Sequence, residues 1–500
     1  MTLGLTAGHS LVFRDADPQR AAAAEAVIRA LPLPRSTRTF DVHNPATGAV
    51  ITAVPDADPE AALRAVAVAD AAGHGWAATT PRHRADILHR WHELIVEHTD
   101  DLALLITREM GKPLAEARAE VSYANDFVRW YAEEAVRPGG AVRDVPTGGG
   151  TLLTRSAPVG LSILITPWNF PLAMATRKIA PALAAGCPVV IKPAELTPLT
   201  TYYAVDLARL AGVPDGLIQV ITTADPSAFS EAVLADSRVR KVSFTGSTGV
   251  GQILLGLAAR NVLRSSMELG GNAPFIVFDD ADLECAVDGA YNAKMRNGGQ
   301  SCIAANRFYV QDGIADAFVE GLAERMNAAR LGDGLADHVT LGPLIDDRAV
   351  TRLQRLVEDT VAQGATLCAG GNAVSGDGHF FEATVLDHVP TAAALANTEI
   401  FGPVAAVQRF SSQAEVVHRA NDTEYGLAGY VFTESLDRAL DCADALHTGL
   451  VGINQGVPSN VAAPFGGVKQ SGLGREGSAE GLDEYQEIRF YNVARRRKTG

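Results

Sequence analysis

Gly160-Leu161-Ser162-Ile163-Leu164-Ile165-Thr166 is the stretch that decides the fold. It is an almost unbroken apolar run of strand length, and Pro167 ends it. Such a run fits a strand buried on both faces, whereas alternation would mark a sheet with one wet side. Outward from it the same pattern repeats. The sequence predicts a helix near 173–185, a strand at 188–192, a helix at 198–211, a strand at 217–221, a helix near 228–235, a strand at 241–244 and a helix at 249–259. Strands alternating with helices at this pitch imply an α/β fold with a parallel, doubly wound open sheet. Ligands in such sheets bind beyond the carboxyl ends of the strands.

On the amino side, 41–55 reads as short strands around the turn Asn44-Pro45-Ala46-Thr47-Gly48. Asp58-Pro59-Glu60 is a helix start, with a capping Asp, a first-turn Pro and an acid at the positive end of the helix dipole. Amphipathic helices are expected over 82–109 and 115–135, and residues 1–38 read as a loosely attached lead-in. On the carboxyl side a second α/β unit runs from about 270 to 471, with helices at 281–296, 314–329 and 348–363. Two strand regions, 142–154 and 484–493, belong to neither sheet and suggest a small extra sheet shared between subunits.

Five hundred residues with 47% apolar content fill more than one core. A net charge of −15, with Arg495-Arg496-Arg497-Lys498 as the one basic block, argues against nucleic acid or an anionic membrane as partner. That block reads as a solvated end. The five cysteines, Cys187, Cys285, Cys302, Cys368 and Cys442, are odd in number and widely spaced, which disfavours a disulfide framework or a metal site. No apolar run reaches the ~18 residues of a membrane span, and the N-terminus lacks a signal pattern. The expectation is a soluble, cytoplasmic protein.

Five stretches carry the chemistry. Asn297-Gly298-Gly299-Gln300-Ser301-Cys302 leads a flexible backbone into one cysteine. A lone Cys is usually a buried, inert residue, so its company has to argue for it. Ile165-Thr166-Pro167-Trp168-Asn169-Phe170-Pro171 holds an Asn and a Trp at a strand's carboxyl end, where a fixed amide can donate to an oxyanion; an Asn satisfying a turn is the bland alternative. Lys192-Pro193-Ala194-Glu195 offers a Lys and a Glu at the next strand end, and a solvated ion pair would look the same. Phe244-Thr245-Gly246-Ser247-Thr248-Gly249-Val250-Gly251 opens a helix with small residues, leaving N–H groups free for a phosphate. Met267-Glu268-Leu269-Gly270-Gly271-Asn272 puts an acid at the joint between the two units, a candidate general base. The literal G-x-G-x-x-G at Gly472–Gly477 follows a polar loop instead of a strand and reads as a decoy.

Together with Glu399–Val404 (EIFGPV) and Pro464–Gly477 (PFGGVKQSGLGREG), these motifs resemble, in order and spacing, the NAD(P)-dependent, non-acylating aldehyde dehydrogenase superfamily, from about residue 40 to 494. The resemblance implies two doubly wound open-sheet domains, one Rossmann-like for the cofactor and one catalytic, with a small β oligomerisation arm. It places the cofactor domain at 1–140 and 159–269, the catalytic domain at 270–471 and the arm at 141–158 and 484–494. Cys302 would be the nucleophile, Asn169 the oxyanion donor and Glu268 the base that activates water. Thr166, Trp168, Lys192, Ala194, Glu195, Gly246, Ser247, Thr248, Gly249, Gly251, Leu269, Glu399 and Phe401 would hold the cofactor. Glu195 favours NAD over NADP, because a carboxylate accepts from a 2′-hydroxyl and repels a 2′-phosphate; Lys192 could still serve that phosphate. No metal is implied, and the expected assembly is a homodimer or homotetramer.

Within the superfamily the chain is most similar to succinate-semialdehyde dehydrogenases. Arg177, Arg296 and Ser459 stand where that subfamily grips the substrate's far carboxylate. Arg offers a planar fork matched to a carboxylate, although either Arg could instead pair with an acid of the fold. Some members carry a second Cys two residues past the nucleophile; here that place is Ala304. Glutarate semialdehyde, one methylene longer, is the neighbouring substrate. A cysteine hydrolase is the rival of another class, and it would require a His base near Cys302.

Overall fold

The computed structural model describes residues 15–137 and 139–495. The run around Ile163 is indeed a fully buried strand, Leu161–Ile165. It lies inside a six-stranded sheet ordered Gly472–Leu473, Arg264–Glu268, Val239–Thr245, Leu161–Ile165, Val189–Lys192, Ile218–Val220. All neighbours are parallel except Gly472–Leu473, which runs antiparallel to Arg264–Glu268 at the edge. From Leu161–Ile165 the chain first winds outward through Val189–Lys192 and Ile218–Val220. It then returns to add Val239–Thr245 on the other side. The switch point is therefore the crevice beyond Ile165 and Thr245.

The second sheet has seven strands in the order Thr366–Ala369, Thr384–Asp387, Val404–Phe410, Ala305–Gln311, Ala273–Val277, Ala428–Phe432, Leu450–Ile453. Only the first is antiparallel to its neighbour. The chain leaves the first sheet at Glu268 and enters the second at Ala273. The carboxyl edge of one sheet thus meets the amino edge of the other. Ala273 pairs with Ala305, so the segment ending in Ala304 starts its strand right beside this joint.

Several expectations are corrected. The helix expected over 82–109 is two, Pro81–Glu97 and Thr99–Met110. His98 leaves helical geometry at φ −104°, ψ 23°, and the Thr99 hydroxyl donates back to the Val96 carbonyl at 2.9 Å; such side-chain bonds compete with helix continuation. The single strand expected over 142–154 is a hairpin, Gly140–Asp144 and Gly150–Pro158, turned by Gly148 and Gly149 at φ +81°. The 484–493 strand is Gln486–Ala494; it pairs with Gly150–Pro158 to complete a three-stranded antiparallel sheet. Within the lead-in, Pro18–Ala30 is a helix tied down by Arg20–Asp337 and Glu25–Arg108 ion pairs, both 2.8 Å. Arg264–Glu268, too polar to read as a strand, is one. Of the basic end only Arg495 is described, paired with Asp144 at 2.7 Å; residues 496–498 and 1–14 lie outside the described residues.

Helix Leu199–Leu210 has no cap of its own. Glu109 supplies one from another helix, accepting from Leu199 and Thr200 N–H at 2.7 and 2.9 Å and from the Thr200 hydroxyl at 2.5 Å. Burial outweighs these bonds and pushes the Glu109 carboxyl up to about 7. Its folded value lies above its unfolded one, so its contribution to stability is full in acid and lost as pH rises through about 7. Melting temperatures measured across pH 5–8 should therefore fall more steeply with pH for the wild type than for Glu109→Gln; parallel curves would contradict this.

Candidate active site

Cys302 lies in the loop between helix Leu283–Met295 and strand Ala305–Gln311, with its side chain partly exposed at a cavity of about 240 Å³. The approach to it requires left-handed backbone: Asn297, Gly298 and Gly299 have φ of 58°, 60° and 73°. At Gly299 a Cβ would collide with the Gly402 carbonyl, and at Gly271 with the carbonyl of Cys302 itself. Those two glycines let the joint and the 399–404 segment close on the cysteine loop.

The cavity collects residues from both sheets. Trp168, Asn169, Arg177, Gly246, Ser247, Leu269, Arg296, Cys302, Glu399, Phe401 and Ser459 all line it. Trp168 and Phe401 meet edge to face, ring centres 5.4 Å apart. Glu399 accepts from the Gly271 N–H at 3.1 Å. Its carboxyl is pushed up to about 7, by burial first, with Gly271, Arg352 and Lys294 pulling it back. Asn169 Nδ2 donates to the Gln300 carbonyl at 3.0 Å, leaving its second hydrogen for the cavity. Burial pushes the Cys302 thiol up to about 12; the charges of Glu399 and Glu268 add to this and Arg177 opposes it. At neutral pH the resting sulfur is thus a thiol.

Glu268 does not line the cavity. Its carboxylate turns toward Gly466, and its Oε2 is buried without a partner among the described residues. Burial raises its pKa well above the ordinary carboxylate range, and the neighbouring Glu476 raises it further, against Arg177, Lys178 and Arg475. Glu476 takes ion pairs from both Arg177 and Lys178, which outweigh its burial and keep it ionised. Lys178 and Glu476 were missed in the sequence. The available signal was Lys178 itself, a charge on a helix, Pro171–Ala185, with no exposed face. Gly472–Leu473 pairs with Met267–Glu268, so the decoy motif is an edge ribbon that delivers Glu476, not a dinucleotide turn.

The two arginines differ. Arg177 does pair with an acid, yet its Nη2 is buried with no partner among the described residues, and its guanidinium stacks 4.2 Å over Phe465. Arg296 is in no ion pair among the described residues; it sits over the Phe170 and Tyr123 rings at 5.0 and 5.5 Å. Among the described residues no histidine lines the cavity, which leaves the hydrolase reading without its base there.

The remaining predicted positions follow the carboxyl edge of the six-stranded sheet. Thr166 Oγ1 and Thr245 Oγ1, on either side of the switch point, are both buried without partners among the described residues. Ser247 caps helix Thr248–Ala259 without a side-chain hydrogen bond, and a Cβ on Gly249 would meet open space. A Cβ on Gly251 would press into Leu269. Lys192, next to Ala194, donates to Glu195 at 3.1 Å. Unpartnered hydroxyls and free helix-end N–H groups along one edge fit a dinucleotide.

A family model described as the aldehyde dehydrogenase family matches residues 33–491. The chain is 47% identical over 451 residues to an NADP(+) succinate-semialdehyde dehydrogenase of Escherichia coli, covering 90% of this chain and 93% of the relative. It is 49% identical over 457 residues to a glutarate-semialdehyde dehydrogenase of Pseudomonas putida, covering 91% and 95%. A crystal structure of succinate-semialdehyde dehydrogenase from Burkholderia pseudomallei superposes with a TM-score of 0.90 at 47% identity, covering 92% and 95%.

Proposed function

Because this chain belongs to the aldehyde dehydrogenase family, an NAD(P)-dependent one by its relatives, we propose that it oxidises succinate semialdehyde to succinate. The observation that carries this is the company of Cys302 in one cavity: Asn169, Arg177, Arg296 and Ser459 line it together with the sulfur, an amide suited to an oxyanion and three groups suited to a far carboxylate. Cys302 gives its proton to solvent water at the cavity, and the thiolate Sγ adds to the aldehyde carbon. The oxyanion is held by Asn169 Nδ2 and the Cys302 N–H. Bound NAD(P) supplies the acceptor for the hydride. Glu268 takes a proton from the water that opens the resulting thioester, which requires its carboxyl to be ionised and to swing from Gly466 toward the sulfur. Trp168, Phe401 and Glu399 wall the nicotinamide end, Thr166, Gly246, Ser247, Thr248, Gly249, Gly251 and Leu269 surround the pyrophosphate path, and Lys192, Ala194 and Glu195 take the adenosine ribose. Burial would raise the Glu195 carboxyl, but Lys192, a main-chain N–H and Arg348 together outweigh it and keep it ionised. That supports NAD, while Lys192 is the group that would serve the phosphate of NADP.

The division into 1–140 with 159–269, 270–471, and 141–158 with 484–494 is supported by the six-, seven- and three-stranded sheets, except that strand Gly472–Leu473 joins the six-stranded one. The arm leaves Ile488, Phe490, Val493 and Val142 exposed, which supports a homo-oligomer joined through it. Among the described residues no helix is long and apolar enough to cross a membrane, and a cytoplasmic site of action fits that and the cysteine count. Glutarate semialdehyde is the second reading, favoured by the Pseudomonas putida relative; one methylene is worth only ~1–3 kcal/mol in a pocket.

The test is NADH absorbance with succinate semialdehyde, glutarate semialdehyde and butanal. An anion held by charge-assisted bonds gains ~1.5–3 kcal/mol per contact. Arg296→Ala should then raise KM for the anionic aldehydes ~10–100-fold and leave KM for butanal nearly unchanged. Equal effects on charged and neutral substrates would remove the anion-binding role.

A further inference from the structure

Helix Leu114–Glu134 contributes Tyr123 to the cavity wall, and just before this helix stands Lys112. Lys112 is only 2% exposed. An ammonium in that position loses its hydration and persists only with close partners. It has three. It donates to the Glu120 carboxylate and to the main-chain carbonyl of Asn169 at 2.8 Å, and it sits 4.0 Å over the Phe170 ring.

The same Asn169 carbonyl receives a second bond, from Asn297 Nδ2 at 2.9 Å. Asn297 is anchored in turn: its N–H donates to Glu116 at 2.6 Å. Glu120 has a further task. Its other oxygen accepts from the Leu172 and Ala173 N–H groups at 3.0 and 3.3 Å. It thereby caps helix Pro171–Ala185, whose own N-cap, Phe170, has no side-chain oxygen to offer. Glu116 and Glu120 are one helical turn apart on the same helix. One carbonyl, on the residue whose amide faces the cysteine loop, is therefore held from behind by two donors, and each donor is fixed by a carboxylate of that helix.

We propose that Lys112, Glu116 and Glu120 are positioning residues for the Asn169 amide: they lock its main chain so that Nδ2 already points at the place where the oxyanion forms. This rests on Asn169 being the oxyanion donor. A donor aimed in advance needs no reorganisation as charge develops. A displacement of ~1 Å can cost ~100-fold in rate.

Lys112→Met keeps the stem and removes the charge and both hydrogen bonds. The expected result is a kcat for succinate semialdehyde lowered ~10–100-fold, with KM and NAD affinity within about threefold, and partial recovery in Lys112→Arg. The deciding comparison is made in Asn169→Ala enzyme. With no amide left to aim, Lys112→Met should change kcat there by less than about threefold, because residues acting through one another are not additive. Should Lys112→Met fail to fold, Asn297→Gly replaces it. Glycine accepts the positive φ and removes the other donor to the same carbonyl, and the same non-additivity is expected. A full, additive loss on top of Asn169→Ala, or a loss confined to melting temperature or KM, would overturn the proposal. An Asn169→Ala enzyme with undiminished kcat would remove the oxyanion assignment itself, and the proposal with it.

Discussion

Cys302→Ala should lower NADH formation from succinate semialdehyde by ~10⁴-fold or more, while leaving the melting temperature and NAD binding close to those of the wild type. Alanine is smaller and fits the loop, so the loss would report chemistry, not packing. Among the described residues that line the cavity, no other can replace the sulfur. Tyr123, Thr245, Ser247, Ser301 and Ser459 carry hydroxyls, but a hydroxyl without a strong base is a far weaker nucleophile than a thiol. The resting thiol is pushed up to about 12 by burial and by the charges of Glu399 and Glu268. The free enzyme should therefore react with iodoacetamide at Cys302 slowly at neutral pH, and faster as pH rises, since only the thiolate reacts. Cys285, exposed on the surface, serves as an internal comparison in the same digest.

Glu268→Gln should produce the second large effect and a different kinetic shape. Gln has the same volume but takes no proton. Steady-state turnover is expected to fall ~10²–10⁴-fold, with a first burst of NADH close to one per active site preserved, because the base is needed only after the hydride has left. The wild type should also show its limiting pKa above the ordinary carboxylate range. Burial and Glu476 favour the neutral acid of Glu268, and the neutral acid cannot take a proton, so turnover rises with pH through that raised value. Loss of the burst along with turnover would move Glu268 to an earlier step.

The parts of the fold that could be read from the sequence were those written locally. The buried strand at Leu161–Ile165, the Asp58 cap, whose side chain accepts from Ala61 N–H at 2.8 Å, and the small-residue start of helix Thr248–Ala259 each declare themselves within a few residues. The candidate site was legible for the same reason, through short motifs whose order resembles a family. What stayed hidden was pairing at long range. Lys178 finds Glu476 298 residues away, and Lys112 reaches Asn169 57 residues on. No local pattern distinguishes such a buried charge from a surface one. The break at His98 and the hairpin at Gly148-Gly149 were missed differently: an amphipathic period runs through the first, and the strand propensity of Val142 and Thr154 masked the turn in the second. Arg177 falls between the two readings offered for it. It is an ion-pair member and also a cavity wall with one unpartnered nitrogen.

The most direct measurement is rapid-quench mass spectrometry of the Glu268→Gln enzyme mixed with NAD and succinate semialdehyde. The peptide carrying Cys302 should gain the mass of one succinyl group within the first turnover, and only when both NAD and aldehyde are present. An unmodified Cys302 peptide while NADH is formed, or the acyl group found on another residue, would contradict covalent capture at this sulfur.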